Sequence, residues 1–343
     1  MMMNTMNIDK ISTYILNNLF ISEDLSLQTG RFGLVMYLYH AGSYTGDQNL
    51  LIQADNELAD IFRDTISQGQ PLRHISYCSG IYWGICKLVN EGLVELDIDE
   101  LFKEIDDSFS YRLQLHRTVI KDINIAGLAS YLVERYKCAK DRHAKIMVIK
   151  SLIEIVDEID DQTAADQLPI NQLCSYQQIL MEVLELGIYD AITSPTLNRI
   201  NQLILDQSKT DSLPMCDRLK ALRAIEIAYG IQEMPIRLRE ELSAFLHRDV
   251  GSDIAEEITI QSLLNEREKE GIFDTIAFKD LFAHRLMDIK ERIMNRLEHP
   301  GLCNLGLRNN GLASLGLMLI HSTSDLSFDW RSFDYFHRDT LYT

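Results

Sequence analysis

The chain has 343 residues, 46% of them hydrophobic and 24% charged, enough apolar material to bury a real core. Its 33 basic and 51 acidic residues leave a net charge of −18. A field of that sign repels phosphate backbones and anionic headgroups, so nucleic acid and acidic membrane are excluded as expected partners. A basic peptide or a basic protein is the partner class that fits; the plainer reading is that the charge keeps the protein soluble.

No window approaches the ~18 consecutive apolar residues that a membrane span needs, so no membrane insertion is expected. The first twenty residues, MMMNTMNIDKISTYILNNLF, carry a single basic residue, Lys10, and scatter asparagines through their apolar positions. They lack the basic flank, apolar stretch and small-residue cleavage site of a secretory leader, and the expected location is the cytoplasm. Six cysteines stand at positions 78, 86, 138, 174, 216 and 303 without a CxxC pair or a close Cys/His spacing. In a chain this long that spacing argues against a disulfide framework and for cysteines used as small buried hydrophobes.

Four stretches share one pattern, a small residue and a glycine leading into large apolars: GRFGLVMYLYHAG at 30–42, SGIYWGICKLVNEGLV at 79–94, AGLASYLVERY at 126–136 and NGLASLGLMLIHS at 310–322. Glycine at a helix start lets one backbone approach another. Gly33, Gly84, Gly127 and Gly311 are therefore expected at or just before the N-termini of inner helices. The steps from Gly33 to Gly84 and from Gly84 to Gly127 have the size of one helical hairpin, an inner and an outer helix with their loops. Between Gly127 and Gly187 the only proline or glycine is Pro169. There the chain reads as helices broken near residues 140–143, with Ile146, Ile149, Ile153, Val156 and Ile159 as an apolar stripe at helical period. Strand-like alternation bounded by turn dipeptides is hard to find, so the expected fold is all-α. Inner helices apolar all round must pack in a ring or a solenoid. With no flexible linker in sight, residues 1–343 read as one domain of about a dozen helices. A plain solenoid of the HEAT type is the alternative architecture.

The glycine-led helices resemble those of the lanthionine synthetase C (LanC-like) family, whose inner helices begin with repeated GxxG-Ile/Leu elements. SYCSGIYWGICKLVNEG, AGLASYLVERY and GLRNNGLASLGLMLI followed by Trp330 carry the resemblance, the last being similar to the family's closing repeat. It covers roughly 30–137 and 301–330. The resemblance implies an α/α toroid. In active members a central zinc is held by a Cys-His pair in a CHG motif and by the cysteine of an upstream WCYG-like motif. Zinc binds a peptide cysteine as thiolate, which then adds to a dehydroamino acid. A histidine in an AHG-like motif and an aspartate near an inner-helix start are the implied proton carriers.

Residue by residue, this chain departs from that pattern. Cys216, in LPMCDRLKALRAIEIA, corresponds to the first zinc cysteine, with Met215 in place of its tryptophan. Leu264 and Asn265 stand where the Cys-His pair belongs, and the sequence contains no Cys-His dipeptide. NQLCSYQQ, before the helix at 179–188, has no histidine. Asp122, in KDINIAGLA, matches the aspartate. Cys216 and Asp122 are thus the two candidate site residues. The alternatives are a helix-start or core cysteine at 216 and a helix cap at 122. Catalytic zinc takes three protein ligands plus an open position, so no metal and no cofactor are expected. His247, His284 and Cys174 are the fallback ligands if an insertion shifts the middle of the alignment. The expected function is that of a degenerate cyclase, a peptide- or partner-binding component of a peptide-modification pathway rather than an enzyme. The competing class is an active enzyme on the same toroid, a zinc-independent peptide cyclase or a carbohydrate-active hydrolase. For the latter, ELDIDELFKEIDD at 95–107 and EIVDEIDD at 154–161 supply carboxylates. Acidic runs of this kind more often form a solvated face, and two tryptophans are few for stacking sugars.

Overall fold

The computed structural model describes residues 2–18, 24–66, 72–115, 124–165, 168–208, 215–229, 240, 307 and 312–321. Among them eleven helices and no strand appear: α1 (Met2–Asn18), α2 (Arg31–Thr45), α3 (Gln48–Ile66), α4 (Leu72–Asn90), α5 (Ile98–Leu115), α6 (Ile125–Cys138), α7 (Arg142–Ala164), α8 (Ile170–Glu185), α9 (Asp190–Gln207), α10 (Met215–Tyr229) and α11 (Leu312–His321). The all-α expectation holds. None of these helices is long and apolar enough to cross a membrane.

The chain divides into two compact units. The first comprises residues 1–70, 91–93 and 249–343, and the second residues 71–90 and 94–248.

In the first unit α2 packs on α1, α3 and α11, and α11 also packs on α1. Every residue of α2 from Phe32 to Gly42 is buried. Its partner α3 is amphipathic and buries Leu50, Ala54, Glu57, Leu58 and Ile61, a stripe at helical spacing. The close approaches are made at glycines. A Cβ at Gly33 would overlap the carbonyl oxygen of Leu27, and one at Gly316 would overlap the Tyr37 ring. That ring cannot swing aside freely, because its hydroxyl bonds Ser12 Oγ at 2.9 Å. Arg31 and the buried Glu57 join α2 to α3 as an ion pair.

In the second unit the helices sort into two layers. α6 packs between α4 and α8, and α8 also packs on α10; in the other layer α7 packs between α5 and α9. Successive pairs α4/α5, α6/α7 and α8/α9 contact each other as hairpins. α6 is buried over Ile125, Gly127–Arg135 and Cys138, whereas α5 turns one face inward through Ile98, Phe102, Asp106, Phe109 and Leu113. The hairpin breaks are capped locally. Asn124 Oδ1 accepts from Gly127 N at 3.2 Å at the start of α6, and Asp141 Oδ2 accepts from Ala144 N at 3.0 Å at the start of α7. The break between α6 and α7 falls at 139–141, close to where the polar residues put it.

Two details differ from the sequence reading. Gly33 and Gly127 are each the third residue of their helix, α2 and α6, but Gly84 sits deep inside α4, which begins at Leu72. Glycine costs a helix interior only about 1 kcal/mol relative to alanine, and a buried face offsets that, so a glycine followed by apolars does not by itself start a helix. Gly311 lies outside the described residues. In α7 the buried stripe is Ala144, Val148, Leu152, Ile155, Val156 and Ile159, and Ile146 is 41% exposed. The helix carries more isoleucines than one face accommodates, and the run spaced 4, 4, 3 and 4 from Ala144 to Ile159 stays straighter along it.

Gly33→Ala is expected to destabilise the protein by about 1–3 kcal/mol, because its new methyl meets a backbone oxygen that has no rotamer to change. Gly46→Ala places a Cβ in open space at φ +75° and is expected to cost only the left-handed strain of about 1–2 kcal/mol. Combining either change with Leu307→Ala separates the two causes. Leu307 Cγ lies 3.0 Å from the point a Cβ at residue 33 would occupy and has no part at residue 46, so urea midpoints should show coupling for the first pair and additivity for the second.

Candidate functional site

Among the described residues of the second unit, a dense polar cluster lies where α4, α5 and α6 meet the α6–α7 break. It grows from a local feature of α5: Asp99, Phe102, Asp106 and Phe109 recur at three- and four-residue steps and so share one face. On α6, Tyr131 and Arg135 are one turn apart and face them. Arg135 is fully buried. Its Nε and Nη2 donate to Asp106 Oδ2 at 3.1 and 2.7 Å, and its Nη1 donates to Asp99 Oδ1 at 2.8 Å. Tyr131 Oη reaches Asp106 Oδ1 at 3.4 Å. The guanidinium lies 5.7 Å from the Phe102 ring centre, and Tyr82, Phe102 and Tyr131 pack edge-on or tilted with centroids 5.4–5.9 Å apart.

Asp99 holds a second position as well. Its Oδ2 accepts from the backbone amides of Lys140 at 2.8 Å and Asp141 at 2.6 Å, which closes the break between α6 and α7. Burial raises the pKa of this carboxyl, but the amides of Asp141 and Lys140 and the Arg135 charge outweigh it, and the net shift is downward. Asp106 goes the other way. Burial dominates over the Arg135 charge and lifts its pKa to about 6.

Beside this pair runs a second set of charges. Glu134, nearly buried, accepts from Lys87 of α4 at 3.2 Å, Lys137 at 2.8 Å and Asn90 Nδ2 at 3.1 Å. Lys137 extends to Glu182 of α8 at 3.4 Å. Between the two sets sit two thiols. Cys138, the last residue of α6, donates through Sγ to the carbonyl oxygen of Cys86 on α4 at 3.3 Å, and the two thiols shift each other's ionisation.

The arrangement is mutually satisfied. Each carboxylate has a cation or several N–H donors, and each cation a carboxylate, so the cluster fixes helices α4, α5 and α6 to one another rather than presenting an acid–base pair to a cavity. The one group shifted toward nucleophilic character is Cys138, lowered by the hydrogen bond from Cys86 and by the nearby Arg135 and Lys87 charges against the pull of burial and Glu134.

Of the residues singled out from sequence, most lie outside the described residues. Asp122 lies outside the described residues, and Asn124 caps α6. Cys216 is the second residue of α10. Leu264, Asn265, His247 and His284 also lie outside the described residues. Cys174 is on α8, and burial pushes its thiol up to about 12. Among the described residues no group of three or more His, Cys, Asp or Glu side chains is placed to hold a metal ion. The acidic run at 95–107 is not simply a solvated face, since Asp106 is buried and Asp99 half-buried against Arg135. The sequence does carry a signal for it: two aspartates seven residues apart in register with Phe102 and Phe109, and charged residues, Glu134 and Arg135, inside a largely apolar stretch that follows Gly127. Compared with known proteins, the chain matches no family model, no curated protein and no solved structure.

Because the folded pKa of Asp106 lies above the unfolded value of 3.8, the folded state holds this proton more readily than the unfolded chain. The contribution of this group to stability is therefore greatest below pH ~4 and declines as pH rises through about 6. Asp106→Asn removes that dependence. The stability difference between wild type and Asp106→Asn should shift in favour of wild type by about 2 kcal/mol between pH 7 and pH 4.5, read from urea midpoints at each pH. Arg135→Met leaves two carboxylates facing an apolar side chain and should cost about 3–5 kcal/mol at pH 7, with part recovered below pH ~6 as Asp106 takes up a proton.

Proposed function

We propose that this chain is a LanC-like α/α toroid that has lost the zinc centre and serves as a peptide- or partner-binding component of a peptide-modification pathway. The observation that carries the reading is the layering of the second unit, with helical hairpins in sequence order and α6 buried nearly all round behind Gly127. In the first unit, α2 has the same character behind Gly33. Such layers are the building pattern of a toroid, and closure into a ring is part of the proposal. The sequence motifs supply the family, and the departures at the zinc positions supply the binding role. The net charge of −18 favours a basic peptide or protein as the partner.

Binding is assayed with a fluorescent lysine- and arginine-rich peptide. Affinity should fall markedly between about 0.02 and 0.15 M salt, because exposed charges are screened beyond about 8 Å at the higher ionic strength. Affinity indifferent to salt would move the partner to an apolar surface. Metal analysis of the purified protein should find no stoichiometric zinc, and a dehydroalanine-containing cysteine peptide should remain unclosed. A leucine offers no donor, an asparagine amide is a poor zinc ligand, and a thiol of pKa ~8.5 without metal is mostly protonated at neutral pH. One zinc per chain, lost on Cys216→Ala, overturns the loss of the centre and restores the enzyme reading.

A further inference from the structure

Cys86 and Cys138 are 52 positions apart in sequence and lie on α4 and α6, helices that pack against each other along the second unit. The 3.3 Å hydrogen bond from Cys138 Sγ to the Cys86 carbonyl oxygen sets the Cys138 sulfur against the backbone of Cys86, and each thiol shifts the ionisation of the other. Cys86 is completely buried, while Cys138, at the end of α6, is 8% exposed. Lys87 follows Cys86 directly, and Arg135 is one turn before Cys138. Neither cysteine is in a disulfide.

We infer that Cys86 and Cys138 form a reversible dithiol–disulfide pair that a hydroperoxide oxidises, cross-linking α4 to α6. Cys138 reacts first. It is the more exposed of the two residues, and the Cys86 thiol, Arg135 and Lys87 all favour its thiolate, while burial, Glu134 and the Cys86 carbonyl favour the thiol. When Cys138 ionises it gives up the bond to the Cys86 carbonyl and accepts from the Cys86 thiol instead. Its thiolate attacks one peroxide oxygen; the O–O bond breaks, Cys138 becomes a sulfenic acid, and the departing alkoxide or hydroxide takes the proton that Cys138 released. The Cys86 sulfur then attacks the Cys138 sulfur, the S–O bond breaks, and the hydroxide leaves as water with the Cys86 proton. In total two thiols and one hydroperoxide give one disulfide, one water and one alcohol, or two waters when the oxidant is hydrogen peroxide. Both electrons come from sulfur and go to peroxide oxygen. Burial holds Cys86 protonated until this second step, which fits a resolving rather than an attacking thiol.

The test uses the full chain, folded and reduced, treated with equimolar hydrogen peroxide. It is then unfolded in an alkylating reagent and mapped without reduction by mass spectrometry. The expected result is a Cys86–Cys138 cross-link, loss of two alkylatable thiols, and recovery of both on adding dithiothreitol. Cys78 shares the tryptic stretch 74–87 with Cys86, so fragmentation must show it still alkylated. A cross-link through Cys78 or any other cysteine, or Cys138 left as a thiol or driven to sulfinic acid with Cys86 alkylatable, overturns the inference. Cys86→Ser, in which no resolving thiol remains, should instead trap one dimedone adduct at Cys138. The wild-type map decides the matter without any variant having to fold.

Discussion

Arg135 is the interaction on which the second unit depends. A guanidinium with no solvent exposure would be prohibitively costly alone, and it is tolerable only because two aspartates from α5 meet it in hydrogen-bonding geometry. Those aspartates do different things. Asp106 neutralises the charge in the interior, and Asp99 divides its two oxygens between Arg135 and the amides of Lys140 and Asp141. One side chain therefore ties the buried helix α6, the one-faced helix α5 and the turn into α7. Apolar packing between these helices tolerates sliding by a residue's width, whereas a forked, three-point charge contact does not. The register of the layers is set here.

The first unit reaches the same end by a different route. There α2 is buried on every side, and its neighbours approach more closely than a methyl group permits. Gly33 faces a backbone oxygen and Gly316 a tyrosine ring pinned by Ser12. Removing side chains brings backbones together and replaces directional charge with van der Waals contact at short range. Each device fixes an all-round buried helix. The charged one does so by adding a partner, the glycine one by deleting an obstacle.

How much of this the sequence discloses follows from the same physics. Helix period is a local property, so the all-α class, the break between α6 and α7 and the buried, glycine-led character of α2 and α6 can be read directly. Gly84 misleads because the sequence motif of a glycine before large apolars does not distinguish a helix start from a close-packed helix interior. The stripe of α7 is ambiguous because a helix rich in isoleucine offers two nearly equivalent faces, and only its neighbours choose between them. The Asp99–Asp106–Arg135 contact joins residues about thirty positions apart, and no local pattern pairs them. Its traces, a seven-residue aspartate spacing and charges within a glycine-led, largely apolar helix, gain meaning only once α5 and α6 are known to pack. Asp122 and Cys216 rest on motif likeness rather than on any local physical pattern, and no described contact adds to either.

The charge balance ties interior to surface. Among the described residues, three of the four buried acids are matched by cations, while Glu158 accepts from the Gln162 amide. Glu57 has Arg31, Asp106 has Arg135, and Glu134 has Lys87 and Lys137. Each match uses a cation, and this chain has 18 fewer cations than acids. Committing basic residues to internal partners concentrates the acidic excess on exposed positions such as those of α3 and α5, where water supports charge at little cost. The fold requires only that the internal pairs be kept. The sign of the outer field is then adjustable by surface substitution without disturbing the layers, and this leaves a helical scaffold free to acquire a basic partner whether or not a catalytic centre is retained.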